Sequence, residues 1–262
     1  MADSINLNGK VALVTGAAGG IGSAICRKLS SRGASIALVD YADPSALAEQ
    51  LSSSGESCRA YKMDLSDLGQ CKAVVENTAN DFSKLDILVN CAGVFRGKSL
   101  ADSELSDWDY HMNIIARAPY FLMKHAVPHM QKQGGGRIVN ITSICAVMGF
   151  PGTAIYTAAK GALESATRVL MCDLARSNIN VNAVAPGNIE TTINEHLREV
   201  PGYVEKWNEL TPHGIAFLPP TSIANAVAFL VSDDAAHVHG QELLIDGGVS
   251  AGISTAAVSL EG

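Results

Sequence analysis

Six cysteines, at 26, 58, 71, 91, 145 and 172, form no CxxC pair, and most sit inside apolar patterns. That argues against a disulfide framework and a thiolate metal site, and for reduced, buried thiols. Aromatic residues are scarce, 5% against 47% hydrophobic overall, so the core has to be packed from Ala, Val, Ile and Leu. Positive charge is also short. Nineteen Lys and Arg face 26 Asp and Glu, a formal charge of −7, which argues against a nucleic-acid partner or an anionic membrane surface. No apolar run approaches the length of a membrane span. Met1 to Asn8 carries neither the basic start nor the apolar core of a secretion signal. A cytoplasmic, soluble protein without a metal is expected. Internal repeats, low-complexity tracts and a linker between two cores are missing too. The 262 residues are therefore expected to form one domain over 1–252, followed by a loose tail, 253–262.

What is present is an alternation of strand-like and helix-like segments, the pattern of a parallel sheet covered by helices on both faces. Strands are expected at 11–15, 35–39, 57–63, 86–90, 137–141, 179–184 and 242–245. Helices are expected from 23, over 67–82, over about 104–133 (with Pro119 and Pro128 able to kink or interrupt it), over 154–177 and over 223–231. Residues 188–220 contain four prolines and no long periodic pattern, as a substrate loop or lid would.

The first expected strand runs into Thr15-Gly16-Ala17-Ala18-Gly19-Gly20-Ile21-Gly22, a glycine-rich strand-to-helix turn. Without Cβ atoms the backbone can approach a ligand closely, and the free N–H groups of a helix start favour a diphosphate. The second strand ends in Asp40, 18 residues after Gly22. A carboxylate there accepts hydrogen bonds from the adenosine ribose and repels a 2′-phosphate. Ala17, Ala18 and Tyr41 offer no cation to offset it, so NAD is favoured over NADP. The plainer alternative is a helix N-cap at Asp40 or Asp43.

Ligands of open parallel sheets bind beyond the C-terminal strand ends. Those ends present Gly16, Asp40, Asp64, Asn90, Ser143 and Pro186-Gly187 along one edge. Tyr156 and Lys160 follow, at helical i, i+4 spacing. A phenol ionises near pH 10, and a neighbouring ammonium stabilises phenolate. With the Ser143 hydroxyl holding a substrate oxygen, the three suit proton removal from an alcohol as a hydride leaves. A solvent-facing helix surface without catalytic duty is the competing reading of the pair.

The turn at 15–22, Asp64-Leu65, Asn90-Cys91-Ala92-Gly93, Asn113, Ser143, Tyr156-Thr-Ala-Ala-Lys160, Pro186-Gly187 and Ile245-Asp-Gly-Gly248 occur in one order along the chain. From Lys10 to about Gly252 this resembles the short-chain dehydrogenase/reductase family. The resemblance implies one Rossmann-like α/β domain with a seven-stranded parallel sheet, commonly assembled as a homotetramer. It implies Tyr156 as acid/base, and Lys160 on the nicotinamide ribose. It also implies Ser143 on the substrate oxygen and Asn113 in a water relay. Cofactor contacts would come from Gly16, Gly20, Ile21, Gly22, Asp40, Asp64 and Leu65 at the adenosine and diphosphate end, and from Asn90 and Gly93 along the ribose. Pro186, Gly187, Ile189 and Thr191 would serve the carboxamide end. Asn113 also reads as an ordinary mid-helix amide, and Asp64 as a helix cap. His196 and His213 read as solvated.

Two departures bear on substrate: Cys91 replaces the commoner Asn, and Pro212-His213-Gly214 lacks the Arg-Gly often found there. Substrate-facing candidates are Phe95, Arg96, Ile144, Cys145, Phe150, Asn188 and Trp207. Arg96 stands either as an anchor for an anionic group or as a rim cation. The function expected is NAD-dependent interconversion of a secondary alcohol and a ketone, with a small-molecule partner. The alternatives are an NADPH-dependent 3-oxoacyl or carbonyl reductase and, from another class, a non-catalytic dinucleotide sensor.

Overall fold

The computed structural model describes residues 5–252 apart from 54 and 56, together with 254, so most of the expected tail at 253–262 lies outside the described residues. Seven strands, β1 (Val11–Thr15), β2 (Ser35–Asp40), β3 (Cys58–Lys62), β4 (Ile87–Asn90), β5 (Gly136–Ile141), β6 (Ile179–Pro186) and β7 (Glu242–Ile245), form one sheet in the order β3-β2-β1-β4-β5-β6-β7. Every pairing is parallel. The order reverses between β1 and β4, which opens a crevice at their C-terminal ends.

Side chains alternate across the sheet, and both faces are covered. Ala12, Val14, Ile36, Leu38, Ile87 and Val89 pack under α1 (Gly20–Ser30), α2 (Ser45–Ser52) and α9 (Pro220–Leu230). Leu13, Ala37, Val39, Leu88 and Ile138 pack under α3 (Leu68–Phe82), α5 (Ala118–Lys132) and α6 (Ala154–Leu174). Helix α2 was not expected. It is a two-turn element that buries only Ala48 and Leu51, too short for a clear apolar period.

The helix expected over about 104–133 is continuous but not uniform. α4 (Leu105–His111) passes through a π-helical stretch, Met112–Arg117, into α5. The Ala118 N–H reaches the Asn113 carbonyl, five residues back. Pro119 follows at once and has no N–H to return to the preceding turn, a cause of register change. The 188–220 segment is more ordered than its prolines suggest, with α7 (Glu195–Arg198) and α8 (Tyr203–Leu210) inside it. No described helix is long and apolar enough to cross a membrane.

Candidate active site

The glycine turn is closed from three sides. Gly16 has φ +70°, and a Cβ there would lie 2.9 Å from the Ala92 backbone. At Gly22 a Cβ would lie 2.0 Å from the Gly16 carbonyl oxygen, and at Gly20 2.8 Å from Thr191 Cγ2. Thr15 ties the turn to the end of β4, where its Oγ1 accepts the N–H groups of Cys91 and Ala92, each at 3.0 Å. Gly19, the cap residue of α1, makes no side-chain cap bond, so the first N–H groups of α1, including that of Ile21, remain available to an anion.

Asp40 reaches over this turn. Its Oδ2 accepts the Ala18 N–H at 2.9 Å and its Oδ1 the Ala42 N–H at 2.9 Å. Among the described residues it makes no ion pair; the facing residue on β3 is Lys62. At the start of α2 the cap residue is Pro44, and Asp43 before it accepts both the N–H and the hydroxyl of Ser45. Asp64 turns one oxygen to the Ser66 N–H, while Asp67 caps α3 by accepting from Gly69. Leu65 is buried beside them.

Asn90 is buried, and its amide donates to Asn140 Oδ1 at 2.8 Å; Asn140 in turn donates to Thr167 Oγ1 at 2.9 Å. Asn90 Oδ1 is left buried with no partner. A cradle that excludes side chains, a free helix start, a carboxylate above it and an orphaned amide oxygen fit a dinucleotide running from Asp40 towards Lys160.

Ser143, two residues beyond β5, is extended and opens a 3₁₀ turn, its hydroxyl accepting the Cys145 N–H at 3.2 Å. Tyr156 lies in the first turn of α6. Burial, followed by the Cys145 sulfur nearby, raises its phenol above the ordinary range, and the Ser143 hydroxyl pulls it part of the way back. Lys160 is 4% exposed, donates to the Ile141 carbonyl at 2.7 Å and sits 5.7 Å from the centre of the Tyr156 ring. Burial pulls it down to about 8. The ammonium is thus beside the phenol, yet burial leaves the phenol raised rather than lowered.

His111 meets Tyr156 with ring centres 6.2 Å apart. Asn113, two residues on, is half-buried in the π-helical stretch, where its carbonyl accepts the Ala118 N–H; among the described residues its side chain makes no hydrogen bond. Ile115, one turn after His111, is fully buried.

Of the substrate candidates, Phe95 packs edge-on against Tyr156 at 5.2 Å. Ile144 and Cys145 follow Ser143 directly, and burial raises the Cys145 thiol. Phe150 meets Trp207 at 6.1 Å, which joins α8 to the turn before α6. Arg96 stacks on Tyr110 at 3.9 Å and is exposed at the rim. Asn188 and Ile189 are held through backbone bonds to Leu218. Gly93 lies near Lys160, its notional Cβ 3.8 Å from Nζ. Pro186 ends β6, and Gly187 packs on Asp246, where a Cβ would sit 2.8 Å from Asp246 Cα. Burial pushes the Cys91 thiol up to about 12, the behaviour of an inert packing residue.

Asn140, Thr167 and His111 were not singled out by the sequence; a polar residue inside an apolar strand or helix was the available signal. A cavity of about 840 Å³ lies at the opposite, N-terminal edge of the sheet. Its Asp86 is already matched by Lys10, Lys84 and the Val11 N–H.

A family model described as enoyl-(acyl carrier protein) reductase matches residues 16–250. The chain belongs to the short-chain dehydrogenase/reductase family. It is 35% identical over 247 residues to a 3-oxoacyl-[acyl-carrier-protein] reductase of Thermotoga maritima, covering 94% of this chain and 99% of that one. It is 35% identical to a cyclopentanol dehydrogenase of Comamonas sp., covering 94% and 98%. A structure of an NAD(P)-dependent gluconate 5-dehydrogenase from Beutenbergia cavernae, holding NADP, superposes with a TM-score of 0.90 at 32% identity, covering 94% and 99%. This member of the family is an oxidoreductase of alcohol- or ketone-type substrates.

Proposed function

We propose that the chain interconverts a secondary alcohol and a ketone with NAD, using Tyr156 as the acid/base. The observation that carries this reading is the buried Lys160, anchored on the Ile141 carbonyl and 5.7 Å from the centre of the Tyr156 ring, with Ser143 at the adjoining strand end. Ser143 orients the substrate oxygen. Tyr156 takes its proton in oxidation and returns it in reduction. Lys160, fixed by the Ile141 carbonyl, biases the phenol towards phenolate as its positive charge is felt in a closed, dry site. Asp40 holds the ribose hydroxyls and disfavours a 2′-phosphate. The dinucleotide supplies the hydride acceptor or donor.

The NADPH-dependent 3-oxoacyl reductase reading draws support from the Thermotoga relative and the NADP-bound neighbour; Asp40 weighs against it. A non-catalytic sensor has no need of Ser143, Tyr156 and Lys160 together. Homotetramer assembly is in keeping with the exposed Leu244 on edge strand β7 and Phe229 on α9. The test is oxidation of cyclopentanol, sugar acids and polyols with NAD by the purified protein and by Tyr156→Phe. Loss of about 10²- to 10⁴-fold in kcat with NADH affinity kept is the expected result. An active Tyr156→Phe enzyme refutes the assignment.

A further inference from the structure

His111 is fully buried, and both of its ring nitrogens are engaged by backbone. Nδ1 lies 2.8 Å from the Asp107 carbonyl, which can only accept, so Nδ1 carries the hydrogen. Nε2 is then a lone pair, and it receives the Arg96 N–H at 3.1 Å. The residue before Arg96 is Phe95, whose ring stands edge-on to Tyr156. The imidazole meets the same tyrosine at 6.2 Å, with its plane 78° to the phenol. Two rings thus pack edge-on against Tyr156.

The strip from Phe95 to Lys98 is stitched down at its other end as well. The Lys98 N–H donates to the Gly152 carbonyl at 2.9 Å, just ahead of α6. Lys98 Nζ pairs at 2.7 Å with Asp107, a carboxylate only 4% exposed that also accepts the Glu104 N–H. The hydrogen bond lowers Asp107 and raises Lys98, as for a pair that stays charged. One turn of α4 thus carries both anchors, Asp107 and His111.

We propose that His111 is a positioning residue: by accepting the Arg96 N–H it holds Phe95 against Tyr156 and fixes the phenol where the substrate proton is exchanged. This role rests on the reading of Tyr156 given above. A buried imidazole with two backbone partners is, by itself, an ordinary core histidine. Its edge-on packing against Tyr156, and its bond to the neighbour of the second ring on Tyr156, give it an effect on the reacting group.

Two near-isosteres separate the halves of the ring. In His111→Gln the amide oxygen reaches about as far as Nε2 and keeps an acceptor for Arg96. In His111→Asn the amide reaches only to Nδ1, keeping the Asp107 bond and losing Arg96. With NAD and cyclopentanol, His111→Asn is expected to lower kcat about tenfold with a smaller change in KM, since small misplacements of a reacting group have effects of this size. His111→Gln should stay near the parent. Phe95 is exposed, so Phe95→Leu tests the same packing without endangering the fold. It should match His111→Asn, and the double variant should lose little more than either.

Equal losses in Gln and Asn, an unaffected Phe95→Leu, or multiplying effects in the double variant would each overturn the proposal. Hydrogen exchange of residues 93–98 needs no substrate. Slow exchange in the parent and His111→Gln and fast exchange in His111→Asn are expected; fast exchange in the parent refutes the clamp. A parent enzyme inert to every alcohol removes the Tyr156 reading, and this role with it, while the exchange result still decides the clamp.

Discussion

Asp40→Ala removes a carboxylate that spans the glycine turn and the start of the α2 loop through two 2.9 Å bonds. For a cofactor carrying ribose hydroxyls, the substitution deletes hydrogen bonds to a charged acceptor, about 1.5–3 kcal/mol together at such a partly exposed place. NADH should therefore bind roughly 10- to 100-fold more weakly. For a cofactor carrying a 2′-phosphate the substitution acts the other way. Two unit charges about 5 Å apart at an effective dielectric of about 20 repel by about 3 kcal/mol, and Asp40→Ala abolishes that term. It also frees the Ala18 N–H and leaves Lys62, the facing residue on β3, as the nearest charge across that strand pair.

The ratio of the two dissociation constants should move by about three to four powers of ten in favour of NADPH. Fluorescence titration of both proteins with NADH and with NADPH measures it directly. Added salt should narrow the preference of the parent and barely change the variant, because only the parent's preference contains a screened repulsion. A parent that prefers NADPH, or a ratio unmoved by Asp40→Ala, refutes the reasoning and moves the chain towards ketone reduction in biosynthesis.

Burial of Lys160 has a thermodynamic signature. Its folded-state value is depressed to about 8, so between about pH 8 and its ordinary value the unfolded chain binds the extra proton. Stability then rises with pH across that window, and the full burden of about 3 kcal/mol is carried below it. Lys160→Met should accordingly melt several degrees higher than the parent at pH 7, with the gap closing towards pH 10, while activity is lost; calorimetry across pH checks both. Trp207→Ala removes the ring that α8 places against Phe150. KM for the alcohol should rise several-fold with kcat less affected, whereas NADH affinity should not change, as steady-state kinetics and titration will show.

Much of the architecture could be read from the chain because a parallel sheet leaves continuous apolar strands, and Val11–Thr15 and Ile87–Asn90 are buried throughout. The glycine turn and the Tyr156–Lys160 pair were legible for a different reason: their chemistry depends on local spacing. What stayed hidden depends on contacts between distant segments. Thr15 bonds residues 76 and 77 positions away, and Asn90 reaches Asn140 and through it Thr167. No periodicity reports such bonds. The π-helical turn that holds Asn113 was equally hidden, because a residue's place in a motif does not report a change of helical register. Helix α8 was masked by the prolines on either side of it.

The segment from 191 to 211 is fastened at both ends by a threonine methyl seated where a glycine has no Cβ. Thr191 occupies that space at Gly20, and Thr211 occupies it at Gly247, where a Cβ would fall 2.7 Å from Thr211 Cγ2. Between these two seams lie α7 and α8; outside them lie the cofactor turn and the end of β7. The segment is therefore a cassette with defined borders. A segment transplanted from a relative has to carry its own 191 and 211 fittings, or bring the matching glycine neighbours with it.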